Sequence, residues 1–356
     1  MLLFLLSLLC VSGHAVSEEE LLRQELKISE VEHASPAEAE EIYGSITLED
    51  VAEPAALLQK LWTSLTGSSH DLLYSALRGG AAVLAAAFLS ALCSAFVKSD
   101  VVSAVGVCVV SLVSLDGLSS CFAVGREALS GITELSHVLL PCLCTAAAAG
   151  GAVTSAGAKY AASMLFLDGL ISLERDYASV LLSAYAALTV TAGLTENPMI
   201  HMLSGLVKQG MKWALVLIAA AFTCYLSLTG ILSGTADAAA AKAAKTAISS
   251  ALPVVGSILA DASSALLSGA QMLRNGVGAL GLFFVLAVCA SPYLTLGSHY
   301  LVYQLAGGAA SSLGSAKIGG VIKDLGSVYG FLLGMVGSAC LMFFVSVISL
   351  MKTVVP

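Results

Sequence analysis

The stretch Gly79–Val97, GGAAVLAAAFLSALCSAFV, lies between Arg78 and Lys98 and contains no charge. At about 1.5 Å of rise per residue such a run crosses a hydrocarbon core of ~30 Å. The same pattern recurs downstream. Charge-poor apolar runs at 101–123, 132–157, 177–194, 212–233, 277–297 and 327–350 alternate with short polar breaks. Two further apolar stretches, 160–173 and 246–270, are interrupted by Asp168, Pro253 and Asp261, and read as amphipathic, re-entrant or half-length helices. The expectation is an all-α fold, a polytopic transmembrane helix bundle of about seven spans, with six to eight as the range.

Composition supports lipid as the solvent. Hydrophobic residues make up 58% of the chain, charged residues 11%, and the mean hydropathy is +0.91. A soluble domain carries about 25% charged residues, and no water-soluble fold hides this much apolar surface. The net charge of −8 is concentrated near the N-terminus: residues 17–78 hold thirteen acids against four bases. A nucleic-acid partner is excluded, because it requires a basic patch.

Three regions follow. Residues 1–15 read as a signal peptide: Met1–Cys10 is an apolar core too short to span, followed by the small-x-small site Gly13-His14-Ala15. Residues 16–78 form an acidic extracytoplasmic segment. Within it Leu57, Leu58, Leu61, Trp62 and Leu65 recur at helical spacing, as in an amphipathic interfacial helix. The acidic stretch is either a solvated linker or a docking arm for another exported protein. Residues 79–356 form the transmembrane helical domain. With seven spans, Lys98, Lys159, Arg175, Lys242, Lys245, Arg274 and Lys352 face the cytoplasm. Arg126, Lys208, Lys212, Lys317 and Lys323 face outward.

Ionisable residues inside spans mark candidate sites, since each costs about 2.5–3.5 kcal/mol at a helix centre. Asp116 lies in the second run. Glu134 and His137 are i, i+3 in the third, one turn before Pro141, and form either a proton or ion path or an interfacial headgroup contact. Asp168 interrupts its own run. Glycines offer a packing signal: Gly326, Gly330 and Gly334 recur at every fourth position, as do Gly230 and Gly234, a spacing that lets helix backbones touch. That contact is either internal to the bundle or the face of a homo-oligomer. A third candidate is the hairpin of Lys242, Lys245, Pro253, Gly256 and Asp261. It either rests on the bilayer surface or re-enters to line a polar cavity.

Catalytic signatures are missing from the sequence. It has no G-x-x-x-x-G-K-[ST] phosphate cradle and no H-E-x-x-H zinc motif. Glu40-Glu41 lies in the polar segment without the Arg that an intramembrane prenyl protease needs. Ser119 and Ser120 follow Gly117 but lack the glycine frame of an intramembrane serine nucleophile. The nine cysteines all sit in apolar segments and read as small packing residues, and Cys142-x-Cys144 lacks a second ligand pair. No catalytic residue, cofactor or metal is expected.

The stretch 229–297, opening TGILSGTADAAAAKAAKTAISSALPVVG, combines four features. These are a Gly-rich span end, a Lys-bearing small-residue helix, the turn Leu-Pro-Val-Val-Gly, and a Gly-spaced span closing near Pro292. In these features it resembles the stage III sporulation protein AE family of endospore-forming bacteria. The signal-like start, acidic segment and multi-span remainder fit the same family. The resemblance implies a non-enzymatic subunit of a channel or secretion-like complex. That complex would lie in the mother-cell membrane around the forespore and be required for forespore development. It also implies partners: other membrane and exported subunits, and a separate ATPase. The residues alone leave a second class open, a stand-alone secondary transporter with broken helices and a polar midplane site.

Overall fold

The computed structural model describes residues 54–351 apart from 97–99, 150–152, 196, 252–255 and 314, with side chains chiefly over 73–224 and 281–350. Every element is helical, and no strand occurs among the described residues. In chain order the helices are α1 (Pro54–Phe96), α2 (Asp100–Ala149), α3 (Val153–Leu173), α4 (Ser179–Leu194), α5 (Pro198–Ala251), α6 (Gly256–Ser312) and α7 (Ala316–Met351). A single π turn, Glu174–Ala178, joins α3 to α4 without breaking the rod.

Among the described residues, six helical stretches are long and apolar enough to cross a membrane: Leu73–Ser94, Val101–Thr145, Gly157–Leu194, Pro198–Cys224, Val285–Ser312 and Ala316–Leu350. The chain is a multi-pass membrane helix bundle. Six lies within the expected range, but the borders differ from the sequence reading. The second and third expected spans are one helix, α2, which runs unbroken through 124–131. Arg126 and Glu127 are exposed while Gly125 and Ala128 are buried, so the charged pair occupies one outward face of a continuous helix. Arg126 is therefore not an outward loop residue. Likewise 160–173 is part of a full-length apolar helix rather than a half-helix, and α6 continues through Pro292 to Ser312. Proline there removes one backbone donor without ending the helix.

α1 runs without interruption across the expected border at residue 78, joining the interfacial segment and the first span in one rod. The signal segment and the acidic stretch up to residue 53 lie outside the described residues. Of the expected hairpin, Lys242 and Lys245 fall within α5, and Gly256 and Asp261 within α6. Pro253 lies outside the described residues.

α7 is the most enclosed helix, with Ile322, Leu325, Val328, Tyr329, Val336, Ala339, Phe343 and Val347 all fully buried. It packs antiparallel on α6 and also meets α2, α3, α4 and α5. The turns entering α5 and α7 share one end of the bundle. There Gly193, next to the end of α4, abuts Val321 near the start of α7 and Val107 near the start of α2. The turn into α5 is written locally. Asn197 caps the helix by accepting the Met199 backbone N–H at 2.9 Å, and Pro198 takes the first helical position, where no donor is missed.

Within the apolar helices, many hydroxyls are satisfied on their own backbone, although the buried Ser90 and Ser111 hydroxyls are not. Ser114, Thr133, Thr191, Thr223 and Ser346 each donate to the carbonyl four residues earlier, at 2.8–3.0 Å. In hydrocarbon, where water cannot serve, this local bond keeps a small polar residue inexpensive.

Candidate functional site: a charged cross-link between three helices

Lys208 on α5, Asp324 on α7 and Tyr185 on α4 meet inside the bundle. Lys208 Nζ lies 2.7 Å from Asp324 Oδ1. The hydroxyl of Tyr185, a fully buried residue, donates to the same oxygen at 3.2 Å. The ammonium also stands 5.9 Å from the centre of the Tyr185 ring, at the outer range of a cation–π contact. The helix ends fix the depth. Lys208 follows Pro198, Asp324 follows Ala316 and Tyr185 precedes Leu194, each by about 12–15 Å along its helix. The pair therefore lies about two to three turns in from that end of the bundle.

Either charge alone would be costly in an apolar helix, and pairing offsets much of that cost. Both side chains remain partly open, 32% for Lys208 and 43% for Asp324. The cluster can hold three helices in register. It contains no nucleophile aligned with a base.

The candidates read from sequence fall at different places in the bundle. Asp116 and Glu134 are exposed on α2. His137 is not coupled to Glu134 but reaches across to α3, its Nε2 3.2 Å from Asp168 Oδ1. Gly326 and Gly330 face α6: a Cβ at Gly330 would lie 2.9 Å from Tyr300 Cε2, and one at Gly326 would lie 3.1 Å from Tyr303 Cβ. Gly334 instead faces Leu215 on α5. Gly230 and Gly234 lie in α5, beyond the described side chains. The tightest backbone approach is elsewhere, between Gly307 on α6 and Gly319 on α7. A Cβ on Gly307 would lie 2.9 Å from the Gly319 carbonyl oxygen, and one on Gly319 would lie 2.7 Å from the Gly307 carbonyl oxygen.

Sequence alone makes Lys208 a loop cation and does not single out Asp324 or Tyr185. The available signal is weak. Lys208 and Asp324 are opposite charges within reach of apolar runs, but 116 residues apart, so no spacing rule joins them.

The fold and this charge pair define a polytopic membrane protein with polar contacts between its helices. The chain belongs to the stage III sporulation protein AE family, whose family model matches residues 81–353. It is similar to "Stage III sporulation protein AE" of Bacillus subtilis (strain 168), at 24% identity over 238 residues, 67% of this chain. The chain spans 60% of the length of that relative. No solved structure matches.

Proposed function

We propose that the chain is a non-enzymatic membrane subunit of a sporulation channel or secretion-like complex linking mother cell and forespore. It would reside in the mother-cell membrane around the forespore and work with other membrane and exported subunits and a separate ATPase. The family match across 81–353 carries this reading. The absence of a phosphate-cradle motif in the sequence agrees with energy supplied by another subunit.

The test is deletion of the gene in the producing organism, combined with a fluorescent fusion. The expected result is normal vegetative growth, arrest of forespore development, and fluorescence in the membrane engulfing the forespore. Co-purification of exported subunits in mild detergent should accompany it. Uniform fluorescence in vegetative cells with unimpaired sporulation would sink the proposal.

The Lys208–Asp324 pair favours a second reading, a stand-alone secondary transporter, because charges inside transporter bundles form ion and substrate paths. That reading expects solute uptake by the purified chain alone in vesicles, which a complex subunit would lack.

A further inference from the structure

Glu174 is the one fully buried carboxylate among the described residues, and it opens the π turn between α3 and α4. Such turns widen a helix locally and occur often where a helix does chemical work. Its Oε2 is buried and has no hydrogen-bond partner. Its Oε1 lies 2.6 Å from Ser338 Oγ on α7. That hydroxyl also lies 2.9 Å from the Met335 carbonyl oxygen of its own helix.

A serine hydroxyl carries one hydrogen. If Glu174 is ionised, Ser338 must give that hydrogen to Oε1, which leaves the Met335 contact unfilled and Oε2 bare. A bare carboxylate oxygen in an apolar interior is among the costliest groups a bundle can hold. If Glu174 carries a proton on Oε1, it donates to Ser338 Oγ, and Ser338 donates onward to Met335. Both short contacts are then satisfied, and Oε2 is a neutral carbonyl oxygen. Among the described residues, no cation pairs with this carboxylate instead. Arg175 on the same turn pairs with Asp176, Nε to Oδ1 at 3.0 Å. Arg126 on α2 is exposed and lines a cleft with Arg175, Ser179, Leu332 and Met335, while Glu127 beside it is also exposed. From α7 only the Ser338 hydroxyl reaches Glu174. The described charges of that helix, Lys317, Lys323 and Asp324, stand toward its other end.

We propose that Glu174, seated against Ser338 at the π turn, is a proton-binding site inside the bundle. The proton comes from water, forms the O–H bond on Glu174 and returns to water on release.

The test is infrared spectroscopy of the full chain in lipid nanodiscs, with isotope-labelled glutamate. At neutral pH the wild type is expected to show the C=O band of a protonated carboxyl. Glu174→Gln should remove it, and Ser338→Ala should shift it by deleting one hydrogen bond. Replacing sodium by choline should leave it unchanged. Should Glu174→Gln fail to fold, the labelled band in the wild type and its shift in Ser338→Ala decide the matter alone. Carboxylate bands only, a protonated band that survives Glu174→Gln, or one insensitive to Ser338→Ala would overturn the proposal. So would a band that sodium abolishes, which would make the occupant an alkali cation.

Discussion

Lys208 Nζ on α5 and Asp324 Oδ1 on α7 stand 2.7 Å apart, and Tyr185 on α4 donates to the same carboxylate oxygen. One charge pair thus ties α7 to the neighbouring helices α4 and α5, from which it is separated by 139 and 116 residues at the points of contact. Removing one partner leaves the other charge stranded among apolar helices, whereas removing both leaves none. Lys208→Met and Asp324→Leu are each expected to lower thermal stability in detergent. The double variant should recover part of the loss, with a coupling of about 1–2 kcal/mol. Additive losses would mean that the pair does not hold the bundle.

The Gly307–Gly319 contact predicts a sharp contrast between adjacent glycines. Gly307→Ala and Gly319→Ala place a methyl group against backbone and must push α6 from α7. At Gly308 and Gly320 an added methyl carbon would meet nothing within 4 Å. Alanine there should be tolerated, and helix propensity favours it by up to about 1 kcal/mol. Accumulation and melting temperature of the four variants check this. Similar behaviour across all four would refute the close approach.

At Gly330 the obstacle is a side chain rather than backbone, the Tyr300 ring. Gly330→Leu should therefore impair folding far more than Leu341→Ala, since Leu341 is exposed. Gly330→Ala should be milder, and Tyr300→Ala should partly rescue it by vacating the space. The readout is the yield of folded protein by size-exclusion chromatography. Absence of rescue would place the strain elsewhere.

Residues 17–78 are expected to lie outside the cytoplasm, given their acidity and the signal-like segment before them. In a variant with its native cysteines replaced, Ser45→Cys should react with an impermeant thiol reagent in intact protoplasts. Labelling only after lysis would reverse the assigned topology.

Much of the fold is legible in the sequence because a lipid-soluble helix must be apolar along its whole length. Lys98 closes the first span plainly, whereas Arg78, expected to open it, lies within the apolar stretch Leu73–Ser94. Continuity is harder to read. Arg126-Glu127 looks like a loop in one dimension, yet both residues project from one face of α2, and a helix needs only that face to be exposed. The glycine pattern on α7 is visible, but its geometry is not fully so. Four residues advance a helix by about 40° more than one turn, so Gly334 has rotated away from α6 and meets Leu215 on α5. The Gly307–Gly319 contact has no such spacing, because its members lie on different helices. For the same reason the partners of Lys208, His137 and Glu174 emerge only in three dimensions.

α1 is one uninterrupted helix from Pro54 to Phe96, and Gly80 within it presses against Val302 of α6. The part preceding the described apolar stretch, residues 54–72, forms about 28 Å of rod. The rod meets the bundle core at Gly80, and its neighbour α6 in turn shares the Gly307–Gly319 seam with α7, the helix that carries Asp324 and Ser338. The segment 54–72 and the two polar contacts are in this way linked by an unbroken series of helix packings.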